Sequence, residues 1–221
     1  MKVLDGKRTV IKQINVIEQS IDITHHKEKI FYDFFKLLLD SFISFFALLV
    51  SSPIILIVSL LIKIDSNGPI FYKQERIGKS GRPFSIIKFR TMHVDAETNG
   101  PQWARQNDSR ITKIGYYLRK YRIDEIPQFI NILRGDMSLI GPRPERLIFI
   151  NEFEKEIPSF RDRLQVKPGI TGWAQINGGY DLTPREKLEL DLYYIRHYSF
   201  LLDAKIFLKS IPVILFSKGW R

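Results

Sequence analysis

The 221-residue chain contains no cysteine. That absence removes thiol nucleophiles, disulfide frameworks, iron–sulfur clusters and cysteine-based zinc sites. Histidine is scarce as well: His25, His26, His93 and His197 are the whole set, without a metal-ligand spacing among them. The glycine patterns of dinucleotide and P-loop sites do not occur, nor do internal repeats, so a Rossmann or P-loop reading has no support. With 13 Gly and 11 Pro spread thinly, collagen and low-complexity disorder are excluded. A mean hydropathy of −0.11 excludes a many-pass membrane protein. Acids are in deficit, 24 against 34 Lys and Arg, for a formal charge of +10. Such an excess points to anionic partners: nucleic acid, an anionic membrane surface or phosphorylated substrates. The length suits one domain, with or without an appendage, and allows a sizeable core.

Between Asp40 and Lys63 lie 22 residues without a charge, SFISFFALLVSSPIILIVSLLI. The run starts far from the N-terminus and lacks a small-residue cleavage signature, so it is not an ordinary signal peptide. Its length would satisfy a transmembrane helix. However, Ser51-Ser52-Pro53 sits at its middle, where proline removes an N–H and clashes with the preceding turn, so a bend or break is expected. The halves, Ser41–Val50 and Ile54–Ile62, are each too short to cross. Both flanks are basic: Lys27, Lys29 and Lys36 upstream, Lys63, Lys73, Arg76, Lys79 and Arg82 downstream. The positive-inside rule keeps both flanks cytoplasmic, which implies a re-entrant helix–break–helix dipping into one leaflet. A kinked single span is the alternative. Residues 63–122 carry 13 Lys/Arg against 5 Asp/Glu, most of the net charge. A basic stretch beside a membrane segment commonly binds anionic headgroups.

The fold expected is helix-dominated α+β, in three parts: a variable lead-in over 1–30, a membrane-associated re-entrant helix over 31–64, and a cytosolic catalytic domain over 65–221. Ser66-Asn67-Gly68-Pro69 is a turn. Ile70–Gln74 and Phe84–Arg90 read as strands, joined through Gly78-Lys79-Ser80-Gly81 as a small hairpin. Asn107-Asp108-Ser109 is a candidate cap for a helix over about 110–122. Two more helices are expected, over about 184–197 and 201–216, the second amphipathic and suited to the core or to the membrane interface.

The densest polar signal is RKYRIDEIPQFINILRGDMSLIGPRPE, residues 119–145. Asp124 and Glu125 are adjacent, preceded by Arg119, Lys120 and Arg122 and followed by Pro127, which is tolerated in a first helical turn. A helix over about 125–133 is expected, with Ile126, Phe129, Ile130 and Leu133 on one face. Its positive end would hold an anion and keep a carboxylate ionised; an ordinary N-cap is the structural alternative. Arg143 lies between Pro142 and Pro144, a stiff presentation suited to phosphate recognition.

With these motifs in place, the chain resembles the bacterial sugar transferases, monotopic polyprenyl-phosphate phosphoglycosyl transferases that begin surface-glycan assembly. The resemblance runs from about Lys36 to Lys209 through Ser52-Pro53, GPIFYKQERIG (Gly68–Gly78), KFRTM (Lys88–Met92), Asp124-Glu125, GDMSLIGPRPE (Gly135–Glu145) and KPGITGWAQINGG (Lys167–Gly179). Relatives with several N-terminal spans and an extra domain exist; neither is expected here.

The resemblance implies that Asp124 attacks the sugar-linked phosphorus of a UDP-sugar, expelling UMP and forming a phosphosugar–aspartyl intermediate. Polyprenyl phosphate (undecaprenyl phosphate in most bacteria) then takes the phosphosugar. Glu125 is implied to position Mg²⁺ or to assist the acceptor, and Asp124 is a second candidate ligand. Arg143 and then Arg119 are the candidate phosphate binders. Lys88 and Arg90 alternate along the expected strand and would grip a pyrophosphate from one face, or solvate an exposed face or lipid headgroups; Arg76 carries the same pair of readings. KPGITGWAQINGG is expected to be a structural loop in which Gly169 and Gly172 supply unusual φ and Trp173 packs on the core, with nucleotide or sugar contact as the alternative. Asp95 and Glu97 read as surface residues. The implied setting is the cytoplasmic face of a bacterial cell membrane, in exopolysaccharide or capsule synthesis. Anionic lipids are the surrounding partners, and a second copy or other glycan-assembly enzymes are candidate protein partners. Two alternatives stand beside this reading: a basic membrane-associated binding module without catalysis, and a glycosyl transferase that releases UDP. Nucleic acid is not expected, because no reader motif is present.

Overall fold

The computed structural model describes residues 30–98, 100, 102 and 108–215, so the lead-in expected over 1–30 lies almost wholly outside the described residues. Its first element, α1 (Ile30–Asp65), is a helix of 36 residues, about 54 Å long at 1.5 Å per residue. By length and composition it is the one helix among the described residues able to cross a membrane. α1 runs on as helix through Ser52-Pro53, where a bend or break was expected, and the carbonyl that proline leaves unbonded finds another donor. Pro53 has no N–H for the Leu49 carbonyl, and Ser52 Oγ donates to that oxygen at 2.8 Å. Ser51 Oγ donates to the Ala47 carbonyl at 2.6 Å. Hydroxyls that bond back one turn re-satisfy carbonyls that a proline frees.

One stripe of α1 faces the rest of the protein along nearly its full length. Lys36, Asp40, Ser44, Ser51, Val58 and Ile62 recur every four or seven residues and are buried or half-buried. Near the start, Tyr32 and Lys36 both donate to Asp203, at 2.5 Å each, and Ser138 donates to Asp40 at 2.6 Å. Near the end, Val58 and Ile62 pack with Phe89 and Leu118. The opposite face leaves Phe42, Phe45, Leu49, Leu56, Ile57 and Leu60 exposed.

The predicted hairpin is present. β1 (Phe71–Ile77) runs antiparallel to β2 (Pro83–Phe89), with Phe71 opposite Phe89 and Ile77 opposite Pro83. Asn131 ties it inward, accepting from the Ile87 N–H at 3.0 Å and donating to the Ser85 carbonyl at 2.8 Å. α2 (Lys113–Lys120) starts later than expected. Thr112 is its cap, accepting from the Gly115 N–H at 3.0 Å, whereas Asp108 binds Arg110 and Asn107 lies outside the described residues. The helix expected over 125–133 is shorter too. Ile123–Glu125 forms a separate 3₁₀ turn and α3 covers Gln128–Leu133. The backbone there bonds three residues back rather than four, Glu125 N–H to the Arg122 carbonyl at 3.2 Å and Ile126 N–H to the Ile123 carbonyl at 3.1 Å, which makes the turn 3₁₀.

The sequence offers no period for the second sheet. β3 (Ser138–Ile140) and β4 (Gly169–Thr171) pair in parallel, Ser138 opposite Gly169 and Ile140 opposite Thr171. The crossover between them holds α4 (Leu147–Glu156) and a 3₁₀ stretch, Pro158–Gln165. Gly169 and Gly172 were expected to supply unusual φ angles, but neither has a positive one. They are needed for close approach instead: a Cβ on Gly169 would meet the Gly141 nitrogen at 2.1 Å. α5 (Trp173–Asn177), α6 (Pro184–His197) and α7 (Phe200–Leu215) complete the described fold. A Thr183–Glu186 capping box opens α6. Trp173, Leu190, Tyr194 and Ile206 join Ile132 and Ile140 in the main core, as the sequence suggested for Trp173.

Candidate active site

Asp124 and Glu125 occupy the 3₁₀ turn, and Arg122 feeds the chain into it in the left-handed region at φ 58, ψ 17. A non-glycine residue held there is strained, a condition common at functional sites. Both acids are buried, each 7% exposed. α3 begins only at Gln128 and has six residues, so the helix dipole expected to ionise Asp124 is weak here. Side-chain cations take its place.

Three cations converge on one oxygen of Glu125. Arg143 Nη2 lies 2.7 Å from Oε1, Lys88 Nζ 3.1 Å and Arg122 Nη1 3.7 Å. Burial alone would raise the Glu125 pKa, but Arg143, Lys88 and Arg122 hold it well below the usual carboxylate range. Asp124 goes the other way. Burial pushes it up; Lys88, Arg119 and Arg122 pull it down, while Glu125 adds to the rise. Its Oδ1 is buried and meets no hydrogen-bond partner among the described residues. Two adjacent carboxylates are thus set apart, one tied down by cations and one with an uncommitted oxygen.

The loop that presents Arg143 is fastened at four successive carbonyls. Pro142 accepts from the Gly169 N–H at 2.9 Å, Arg143 from Arg163 Nη2 at 2.9 Å, Pro144 from Arg76 Nη1 at 3.1 Å and Glu145 from the Ile77 N–H at 2.9 Å. Glu145 anchors the donors. Arg76 lies 3.6 Å and Arg163 3.9 Å from its carboxylate, and Lys187 donates to it. Burial would raise Glu145, yet Lys187 and Arg163 keep it below its ordinary value. Arg163 in turn pairs with Asp191 at 2.7 Å, with side chains 2% and 1% exposed.

Of the residues expected at the site, Asp124, Glu125, Lys88 and Arg143 come together. Arg119 acts on Asp124 through its charge, and its Nη1 is buried without a partner among the described residues. Arg76 holds the Arg143 loop from behind. Arg90, the residue after β2, does not share the Glu125 partner of Lys88. Instead it donates to the carbonyls of Asn67 and Ser66, the latter at 2.7 Å, and of Ile62 at 3.5 Å, closing the carboxyl end of α1. Ser52 and Pro53 lie within α1. Asp95 is exposed as expected, whereas Glu97 pairs with Arg146 at 2.8 Å. Arg122, Glu145, Arg163, Asp191 and Lys187 were not singled out. Arg122 and Glu145 stand inside the motif-rich stretch, but nothing local in the sequence marks Arg163 or Asp191.

Glu125 lines a cavity of about 580 Å³ together with Arg122 and Arg143, with Ile170, Thr171 and Ala174–Gly179, and with Ser210 and Val213 of α7; Asp124 is not among the lining residues. The KPGITGWAQINGG stretch therefore both packs the core and lines this space. Among the described residues no three or more His, Asp or Glu are grouped to hold a metal. A carboxylate pair with one free buried oxygen nonetheless fits Mg²⁺, which binds through one or two carboxylates together with substrate phosphates.

Glu125 with its cations at the mouth of a cavity, and a long apolar helix in the same fold, describe a membrane-associated class of protein with a polar site. The profile of the family described as bacterial sugar transferase matches residues 31–217, and the chain belongs to that family. It is 46% identical over 193 residues to an Aeromonas hydrophila protein named UDP-N-acetylgalactosamine-undecaprenyl-phosphate N-acetylgalactosaminephosphotransferase, covering 86% of this chain and 46% of that one. It is 43% identical over 164 residues to an Escherichia coli (strain K12) UDP-glucose:undecaprenyl-phosphate glucose-1-phosphate transferase, covering 72% and 35%. It is 40% identical over 184 residues to the uncharacterized sugar transferase EpsL of Bacillus subtilis (strain 168), covering 83% and 89%. The chain thus spans less than half the length of the first two relatives.

Proposed function

We propose that this chain transfers a phosphosugar from a UDP-sugar to polyprenyl (undecaprenyl) phosphate, releasing UMP and initiating a surface polysaccharide. The observation that carries the reading is the dyad's asymmetry: Asp124 keeps a buried, uncommitted oxygen while Glu125 is bound by cations. Paired carboxylates driven apart in pKa have separate roles. Asp124 is the nucleophile. Its oxygen attacks the β-phosphorus, the bond to the bridging oxygen breaks, and that oxygen leaves with UMP. A phosphate oxygen of the acceptor then attacks the same phosphorus and returns the carboxylate. Covalent transfer divides a difficult exchange between anions into two easier steps. Glu125 fixes Lys88 and Arg143 where charge accumulates on the transferring group, and Arg119 faces Asp124. Asp124 and Glu125 would hold Mg²⁺, which supplies charge neutralisation on the donor's phosphates when bound.

The setting proposed is the cytoplasmic membrane face, with α1 entering one leaflet without crossing it. Support comes from α1 touching the same domain near both ends, at Asp40 with Ser138 and at Ile62 with Leu118. A spanning helix would leave the domain behind at one end. The exposed apolar face is far larger than a soluble monomer presents, and it suits lipid. Anionic lipids would meet the basic surface beside it.

The test is incubation of the full chain with Mg²⁺, undecaprenyl phosphate and a panel of UDP-hexoses and UDP-N-acetylhexosamines. UMP release with one or more donors is expected. UDP release identifies a glycosyl transferase instead, and no turnover across the panel supports the non-catalytic alternative. Asp124→Asn is expected to lower turnover by several orders of magnitude while the protein stays folded.

A further inference from the structure

Most polar groups lining the cavity are already engaged. The Thr171 and Ser210 hydroxyls bond each other at 2.7 Å, Asn177 donates to the Trp173 carbonyl at 2.8 Å, and Lys187 is paired with Glu145. Gln175 differs. It is one of the cavity-lining residues, both its Nε2 and its Oε1 are buried, and neither meets a hydrogen-bond partner among the described residues. A buried carboxamide with an idle donor and an idle acceptor is a standing cost that packing alone does not explain. The backbone is arranged around it. A Cβ on Gly172 would come within 2.9 Å of Gln175 Oε1 and 2.2 Å of the Gly141 carbonyl, so only glycine leaves the amide its place. The surrounding wall is largely apolar, with Ile123, Ile126, Phe129, Ile170 and Val213, and it competes little for hydrogen bonds.

We propose that Gln175 is a specificity-determining residue whose carboxamide reads a carbonyl beside an N–H on the donor substrate. The proposal rests on the UDP-sugar reaction above and names the recognising group within its cavity. Two parts of such a donor carry that chemistry: the uracil imide edge and the acetamido group of an N-acetylhexosamine. Either would satisfy the amide at both ends. A site built to hydrogen-bond a ligand rejects an analogue that lacks the partner much more strongly than an apolar pocket does.

The experiment uses the full chain with Gln175→Leu, which keeps volume and loses both polar atoms, and Gln175→Glu, which keeps an acceptor and loses the donor. Two ratios are measured in each protein. The first is inhibition of UMP release by UMP, using isotopically labelled donor, relative to inhibition by ribose 5-phosphate; it isolates the base. The second is kcat/KM for UDP-N-acetylhexosamine relative to the matching UDP-hexose, which isolates the acetamido group. A fall of about tenfold or more in the first ratio assigns Gln175 to the uracil, and the same fall in the second assigns it to the sugar. Because each ratio is taken within one protein, a partly unfolded variant does not mimic either result. Wild-type UMP release with both ratios unchanged in both variants overturns this inference alone. A wild-type protein that binds no uridine nucleotide overturns the reaction as well.

Discussion

Asp124 and Glu125 are neighbours in the chain and share one turn, yet their surroundings push them in opposite directions. In the proposed reaction Asp124 acts as the carboxylate, so kcat/KM should fall on the acid side as pH drops through its raised pKa. That limb lies above the ordinary aspartate range. Lys88 is the leading charge holding the pKa down, so Lys88→Met should move the limb to higher pH. A pH–rate profile of UMP release at saturating acceptor checks this; an unmoved limb contradicts it. Behind the dyad, Arg163 is buried against Asp191 and also holds the Arg143 carbonyl. Asp191→Ala removes the nearer of the two carboxylates of that guanidinium, leaving Glu145 at 3.9 Å, and should cost about 3 kcal/mol in denaturant unfolding. Neither residue is conspicuous in the sequence, because Arg163 lies in the β3–β4 crossover and Asp191 in α6, and they meet only once the chain has folded. The Asp124–Glu125 pair and Arg143, by contrast, are legible because prolines and basic residues crowd around them within one short stretch.

Turn chemistry made the β1–β2 hairpin legible, and hydrophobic spacing did the same for α6 and α7. The parallel β3–β4 pair was not readable, since three-residue strands carry no alternation and their partners lie far apart in sequence. Its glycines serve close approach rather than unusual dihedrals. Gly169→Ala should therefore cost about 3 kcal/mol, seen as a lowered Tm, even though φ at that position suits any residue. Proline at position 53 signalled a break, but α1 runs on through it, and the carbonyl it leaves unbonded finds another donor in Ser52. Ser52→Ala should destabilise the protein by about 1 kcal/mol by orphaning the Leu49 carbonyl. In a Pro53→Ala background, where the backbone N–H returns, the same substitution should cost little. A double-mutant cycle on unfolding in detergent measures that coupling.

The whole molecule is organised around α1, which touches the rest of the protein near both of its ends. Polar groups fasten α1 near its start, Arg90 and Leu118 receive its end, and lipid-suited side chains cover what remains. The apolar run and its basic flanks were readable as membrane-associated from composition alone. The stripe that binds the domain was not, because Lys36, Asp40 and Ser51 reveal their partners only in three dimensions. The chain has no native cysteine, so single cysteines at Asp33 and Asn67 can report sidedness cleanly. Both should label only from the cytoplasmic side, and opposite sides would indicate a span.

The dyad, the cation cluster and the cavity meet in one claim, that Asp124 carries the phosphosugar between donor and acceptor. The direct test is to mix the protein with a UDP-sugar radiolabelled at the β-phosphate and Mg²⁺, omitting polyprenyl phosphate. A burst of UMP of at most one equivalent should appear, with label bound to Asp124 and chased onto polyprenyl phosphate when the acceptor is added. Asp124→Asn should show neither burst nor label. UMP formed only when acceptor is present, with no labelled protein at any time, would contradict the covalent role of Asp124.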